Sequence, residues 1–303
     1  MFLNPVKYEQ PVFRPPSEAE SFLVQITIGC SHNSCSFCGM YKTKKFRVKS
    51  FEEIENDIKK AKTFFQNTGR FPRRIFLCDG DALAMETKQL VQVLKLINVE
   101  LKNPNRIGIY ASARNVLEKS DDELKELADN NLGIAYLGME SGSDAVLDYI
   151  GKGNSNQQFI ESCLRLKNNG LKISVIAMLG IGGTKFCQEH CMETAKTVSK
   201  VVPNFFSFLS TTPVPGTALY KWIEKETFIP LSTYELLEEM RSILQEINIV
   251  SKERIIFRAN HVSNMFPLSG VIPRDQEKLL AILNEWIKKC PRGVYPDIDP
   301  SML

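Results

Sequence analysis

Six short apolar runs recur along this 303-residue chain with helical segments between them: Phe22 to Ile28, Arg74 to Cys78, Ile107 to Ala111, Ile134 to Gly138, Ile173 to Leu179 and Phe205 to Ser210. Strand-like runs alternating with helices are the sequence sign of repeated βα units, so the chain is expected to form an α/β fold around a parallel sheet. Two helix starts are marked by capping boxes, Ser50-x-x-Glu53 and Ser120-x-x-Glu123. The first box is followed by Ile54, Ile58 and Ala61 at helical spacing. Gly170 is the expected C-cap of a later helix. After Gly216 the pattern changes to two helical stretches, Thr217 to Lys225 and Ser232 to Asn248, a short apolar run from Arg254 to Arg258, and a last helix from Pro273. Residues 1–20 therefore read as an N-terminal extension, 21–216 as the βα domain, and 217–303 as a C-terminal extension that closes the domain and shapes a substrate pocket.

Composition bounds the function. With 43% hydrophobic and 24% charged residues, the chain can bury one barrel-sized core plus an appendage. A net charge of +3 gives no general attraction to nucleic acid, and the nearest approach to a basic patch is Lys42, Lys44, Lys45, Arg47 and Lys49. That group reads either as a solvated loop rim or as a positive mouth for an anionic substrate or an acidic electron donor. No apolar stretch is long enough to span a bilayer. The N-terminus, with Pro5, Pro11, Pro15 and Pro16, does not read as a signal peptide, so a cytoplasmic location is expected. The eight cysteines then read as reduced thiols or metal ligands.

Three of those cysteines fall within nine residues, in Gly29-Cys30-Ser31-His32-Asn33-Ser34-Cys35-Ser36-Phe37-Cys38-Gly39-Met40-Tyr41, directly after the first apolar run. Three thiolates leave one iron of a [4Fe-4S] cluster without a protein ligand, and an open metal position lets a small molecule bind. Structural zinc is the plainer alternative, with His32 as the fourth ligand. The spacing Cys-x4-Cys-x2-Cys, with Phe37 before the last cysteine and Tyr41 behind it, resembles the radical S-adenosylmethionine (radical SAM) superfamily. The commonest form of that motif has three residues between the first two cysteines; here there are four. The resemblance implies a partial (β/α)6 TIM-like barrel with a helical C-terminal extension, in which Cys30, Cys35 and Cys38 hold the cluster.

Three further elements carry the resemblance in the same order. Leu77-Cys78-Asp79-Gly80-Asp81-Ala82-Leu83, after the second run, resembles the superfamily's Gly-Gly-Glu element; it implies that Gly80 and Asp81, with Asp79 as second choice, receive the amino group of SAM. Its plain reading is an ordinary βα turn. Tyr136-Leu137-Gly138-Met139-Glu140-Ser141-Gly142-Ser143 resembles the Gly-x-Glu-Ser-Gly run of relatives of oxygen-independent coproporphyrinogen oxidase, and implies that Glu140 accepts the ribose hydroxyls. Its plain reading is a helix cap from Ser141 or Ser143. Ser112 and Lys152 fall where relatives direct a group at the ribose or carboxylate and a cation at the methionine carboxylate. Met178-Leu179-Gly180-Ile181-Gly182-Gly183 resembles the Gly-x-Ile-x-Gly element that lines the adenine, implying adenine contacts from Gly180 and Ile181, with Phe37 beside them.

The remaining features are less specific. Cys187 and Cys191, with His190 between, share a helix face and could clamp a metal, although two ligands do not make an auxiliary cluster. Substrate contacts are sought in Arg258-Ala259-Asn260-His261-Val262-Ser263-Asn264, giving Arg258, His261 and Asn264 as catalytic candidates, and in Thr211-Thr212-Pro213, the expected pocket floor. Taken together, the resemblance implies an oxygen-sensitive radical SAM enzyme acting on a small organic substrate, with a [4Fe-4S] cluster, S-adenosyl-L-methionine, and reduced flavodoxin or ferredoxin as electron donor. The alternatives are an Fe-S electron-transfer or oxygen-sensing protein without SAM chemistry, and SAM cleavage to a 3-amino-3-carboxypropyl radical.

Overall fold

In the computed structural model, which describes residues 5–297, the apolar runs become strands of one mostly parallel, eight-stranded sheet. The strands are β1 Phe22–Gln25, β2 Arg74–Cys78, β3 Arg106–Ala111, β4 Leu132–Glu140, β5 Lys172–Leu179, β6 Phe205–Ser210, β7 Ile255–Arg258 and β8 Ser269–Ile272. The helices are α1 Phe51–Thr68, α2 Thr87–Glu100, α3 Ala113–Leu117, α4 Asp121–Asp129, α5 Asp144–Tyr149, α6 Asn156–Asn168, α7 Gly183–Val201, α8 Ala218–Glu224, α9 Thr233–Glu246 and α10 Gln276–Lys289. Strands alternate with helices throughout, as the apolar runs require. Burial is nearly continuous along β2 and β4, the pattern of strands covered on both faces.

The chain divides into two compact units that interleave in sequence. One comprises the described residues up to Asn33, Met40–Leu137 and Leu164–Ile173. Here β1, β2, β3 and β4 pair in parallel, with Phe22 opposite Ile75 and Ile75 opposite Ile107. Ile75, Phe76, Leu77, Ile107 and Ile109 are fully buried, and α1 turns Ile54, Ile58 and Ala61 inward. Both expected capping boxes form: Glu53 donates its amide to Ser50 Oγ at 3.2 Å, and Glu123 to Ser120 Oγ at 3.1 Å. Gly170 closes α6 in the left-handed conformation, φ +89°. The segment before β1 carries a fully buried carboxylate, Glu18, which accepts hydrogen bonds from Ser21 Oγ, Tyr136 Oη and the guanidinium of Arg106. Gly108 lies beside it, where a Cβ would press on Ile134 and Phe76 at 3.2 Å. The apolar run Phe22 to Ile28 breaks after Gln25, and Thr27–Ile28 forms a short antiparallel ribbon with Arg47–Val48.

The other unit comprises Ser34–Gly39, Gly138–Cys163 and the chain from Ser174 onward. In it β5, β6 and β7 are parallel, while β8 runs antiparallel to β7. The apolar run expected at Arg254 to Arg258 thus forms β7, and the C-terminal extension adds one further strand, β8. β7 joins because Ile255 and Phe257 alternate inward, and the Phe257 ring packs edge-on against Phe208 at 5.7 Å. β8 escaped notice because Ser269-Gly270-Val271-Ile272 is short and weakly apolar. The last helix starts at Gln276 rather than Pro273, once Asp275 has turned back to accept the Val271 amide at 2.8 Å.

Candidate functional site

In the first unit the turn after β2 is stitched to the start of the cysteine loop. Gly29, with φ +78°, donates its amide to Asp79 Oδ2 at 2.9 Å and accepts the amide of Gly80 at 3.1 Å. Asp79 is fully buried and ion-paired to Lys44 Nζ at 2.6 Å. Gly80 needs to be glycine, since a Cβ there would lie 2.6 Å from the Tyr41 ring and 3.0 Å from Cys30 Cβ. Tyr41 is buried, and that burial together with the charge of Asp79 pushes its hydroxyl pKa far up, keeping it neutral. The Asp81 carboxylate accepts from Ser31 Oγ and Asn115 Nδ2, both at 2.5 Å, and from the Ser112 amide at 3.2 Å. The Ser112 hydroxyl is engaged differently, capping α3 by accepting the Asn115 amide at 3.2 Å. Ser31 lies inside the cysteine run and Asn115 three residues after Ser112, and only the fold reveals that they converge on Asp81.

The second unit gathers the remaining elements. Glu140, at φ +61°, pairs with Lys152 Nζ at 2.7 Å, and both side chains are largely buried. The cap of α5 is supplied by Ser143, which accepts the Val146 amide at 3.2 Å, while the Ser141 hydroxyl meets His190 Nδ1 at 2.8 Å. Capping therefore leaves Glu140 for another task. Gly180 takes φ +75° and donates its amide to Glu239 Oε2 at 2.5 Å. Ile181 is fully buried in a cluster with Val146 and Ile150, and Phe37 and Met178 pack against it. Phe37 and Ile181 are thus brought together, as the motif comparison expects.

A cavity of about 220 Å³ in this unit is lined by Gly180, Thr211, Thr212, Phe228, Leu236 and Tyr295, among others. The Thr211 and Thr212 hydroxyls are buried and have no hydrogen-bond partner among the described residues. The catalytic candidates of the later loop are occupied otherwise. His261 Nδ1 accepts the Ser263 amide at 3.1 Å, and Asn264 bridges the Ser210 hydroxyl at 2.8 Å and the Phe208 carbonyl at 2.7 Å. These bonds tie the loop after β7 to the end of β6. Arg258, His261 and Asn264 do not line that cavity, although Asn264 borders a smaller one beside Ser210 and Leu236. The basic cluster also divides: Lys44 and Lys49 are buried in ion pairs with Asp79 and Asp57, leaving Lys42, Lys45 and Arg47 exposed.

Three half-buried cysteines in one loop, none of them in a disulfide, are the donor types an iron-sulfur cluster with one open iron takes. The absence of a side chain at Gly80 lets the Tyr41 ring and Cys30 pack directly against the turn after β2. The fold and these elements define a TIM-like partial-barrel protein with a three-cysteine cluster loop. The radical SAM superfamily model matches residues 24–195, and the chain belongs to that superfamily, whose enzymes use a [4Fe-4S] cluster and S-adenosylmethionine. It is 25% identical over 202 residues to an uncharacterized methyltransferase of Pyrococcus horikoshii, covering 66% of this chain and 41% of that protein. The chain spans about two fifths of the length of the curated relatives it matches. Among solved structures, the coproporphyrinogen III oxidase HemN of Escherichia coli is similar with a TM-score of 0.54 at 17% identity, over 75% of this chain and 50% of that one. Methylornithine synthase is similar with a TM-score of 0.52 at 16% identity, over 92% and 83% of the two chains. At such identities the likeness is one of fold. Among the described residues no helix is long and apolar enough to cross a membrane.

Proposed function

We propose that the chain is a radical SAM enzyme acting on a small organic molecule, with Cys30, Cys35 and Cys38 holding the cluster. The observation that carries this reading is the superfamily match across the loop in which those three cysteines lie. When bound, the reduced cluster supplies the electron that cleaves the sulfonium of SAM, giving methionine and a 5'-deoxyadenosyl radical that takes a hydrogen atom from substrate. The chain's own residues bind and orient. Gly80 and Asp81 offer a carbonyl and a carboxylate to the SAM amino group, and Tyr41, neutral and buried behind Gly80, walls that side off from water. Lys152 receives the methionine carboxylate and Glu140 the ribose hydroxyls; in their absence the two neutralise each other. Gly180 and Ile181, with Phe37, present backbone and an apolar surface to the adenine. Ser112 contributes to the ribose or carboxylate contacts through the same Asp81 network.

The substrate lies in the cavity floored by Thr211 and Thr212, whose unpartnered hydroxyls ask for hydrogen-bonding groups on an otherwise apolar molecule. Exposed Lys42, Lys45 and Arg47 suit an acidic electron donor of the flavodoxin or ferredoxin kind. The test is anaerobic reconstitution with iron and sulfide, followed by EPR with and without SAM and identification of SAM products after reduction. A reduced-cluster signal that shifts on SAM addition, with 5'-deoxyadenosine formed, supports the assignment; a cluster indifferent to SAM overturns it in favour of electron transfer or sensing. A 3-amino-3-carboxypropyl product would reassign the bond cleaved. Thr211→Val with Thr212→Val is expected to raise substrate KM while leaving substrate-free SAM cleavage unchanged.

A further inference from the structure

We propose that Cys187, Cys191 and Glu239 form a second metal site, a three-ligand seat for a thiophilic divalent cation of the zinc type. Cys187 and Cys191 stand one turn apart on α7, and α9, in the same unit, delivers Glu239. The two sulfurs and a carboxylate oxygen lie within 4.8 Å of one another. Tetrahedral zinc with metal–sulfur bonds of about 2.3 Å sets its sulfurs about 3.8 Å apart, so the ligands need close only by about 1 Å. Cys191 and Glu239 are buried and Cys187 half-buried.

A second observation points the same way. Glu239 Oε2 is taken by the Gly180 amide, while Glu239 Oε1 is buried with no hydrogen-bond partner of ordinary geometry among the described residues, the carboxyl having only the weakly donating Cys187 thiol beside it. A thiol is a poor donor, and a cation would supply what that oxygen lacks. His190, between the cysteines, sets Nδ1 against Ser141 and does not fall within the 4.8 Å group, so it is not the fourth ligand. An auxiliary [4Fe-4S] cluster would need more thiolates than this group has, whereas zinc accepts three protein ligands and a water.

Burial holds the Glu239 carboxyl well above the ordinary range, and the hydrogen bond to Cys191, followed by burial, raises the Cys187 thiol. Binding one dication forms two metal–sulfur bonds and one metal–oxygen bond, releases to solvent whatever protons the three ligands carry, and involves no change of oxidation state. Because Glu239 also holds the Gly180 amide, an occupied site would fix the backbone turn before Ile181.

The test uses the full chain with its cluster reconstituted, one equivalent of zinc added, and loosely held metal removed by dialysis. Iron and zinc are counted per chain, and zinc X-ray absorption reports the ligands. We expect about one zinc with two sulfur neighbours near 2.3 Å, lost in Cys187→Ala and Cys191→Ala with iron content unchanged. Glu239→Gln keeps an acceptor for the Gly180 amide but removes the anionic ligand, and should weaken zinc about tenfold or more in chelator competition. Retention of zinc by a folded Cys187→Ala/Cys191→Ala protein overturns the proposal. So does failure of the wild type to keep zinc, or a wild-type spectrum with three or four sulfurs, which needs no variant to fold. The inference is independent of the SAM reading, since iron content and SAM products in the same samples report on that separately.

Discussion

The hydroxyl of Ser31 donates a 2.5 Å hydrogen bond to the Asp81 carboxylate, so the residue that follows Cys30 is tied to the turn after β2. A single carboxylate thereby fixes the start of the cysteine loop, the α3 amide segment and Asn115 at once. Asp81→Asn keeps the size but loses the charge and one acceptor. We expect it to hold its iron yet bind SAM about 10- to 100-fold more weakly, the scale of one charge-assisted hydrogen bond. Anaerobic equilibrium dialysis with SAM checks this; unchanged affinity at full iron content would remove Asp81 from the SAM site.

Glu140 and Lys152 can be told apart by ligand. Replacing Lys152 by Met should weaken SAM about tenfold or more while leaving 5'-deoxyadenosine binding nearly intact, because that molecule has no carboxylate to meet a cation. Glu140→Gln should weaken both, since both carry the ribose. Equal losses on SAM and 5'-deoxyadenosine in the Lys152 variant would contradict the division of roles.

Gly80→Ala drives a methyl group to within 2.6 Å of the Tyr41 ring and 3.0 Å of Cys30 Cβ. Overpacking of this kind costs about 1–3 kcal/mol. The expected outcome is a lower unfolding midpoint and less iron per chain after reconstitution than wild type, read by thermal denaturation and iron assay on the same preparation.

Glu18 is a charge with no route to water, matched by Arg106, Tyr136 and Ser21. Glu18→Ala leaves the Arg106 guanidinium without its buried partner, a change that typically costs about 3–5 kcal/mol. Urea unfolding should show it, and a loss below about 1 kcal/mol would mean that the network contributes little.

Asp275 accepts from Arg274 and from the Val271 amide, which together lower its pKa to about 2 from an ordinary 3.8. A carboxylate whose folded pKa is depressed contributes stability above its unfolded pKa and loses it as pH falls toward the folded value. The wild type should therefore lose more stability than Asp275→Asn between pH 4 and pH 2, and the two should run parallel above pH 5. Paired thermal melts across that range are the measurement.

Local rules were enough for much of this protein. The spacing of Ile54, Ile58 and Ala61 behind Ser50-x-x-Glu53 is a property of neighbouring residues, and α1 formed as written. The cysteine spacing, the acidic turn after β2 and the glycine turn after β5 carried the superfamily on short runs of sequence. The βα alternation carried the fold class, because strand and helix periods differ wherever one face is buried.

Tertiary structure decided which polar groups remain available. Asp79 and Asp81 look interchangeable in sequence, yet Asp79 gives one oxygen to Lys44 and Gly29 and keeps the other buried without a hydrogen-bond partner among the described residues, while Asp81 joins Ser31 to Asn115. His261 and Asn264 looked reactive, yet His261 braces its own loop through Ser263 and Asn264 clasps β6, whereas the plainer Thr211 and Thr212 keep unpartnered hydroxyls beside a cavity. Lys44 and Lys49 belonged to an apparent basic rim until folding buried them in ion pairs. Glu239 had no motif at all, and its meeting with Cys187 and Cys191 depends on α9 packing against α7. Periodicity and spacing are encoded between near neighbours and are legible before folding. The partner of a buried charge lies tens of residues away, and only the packing that removes water determines which one it is.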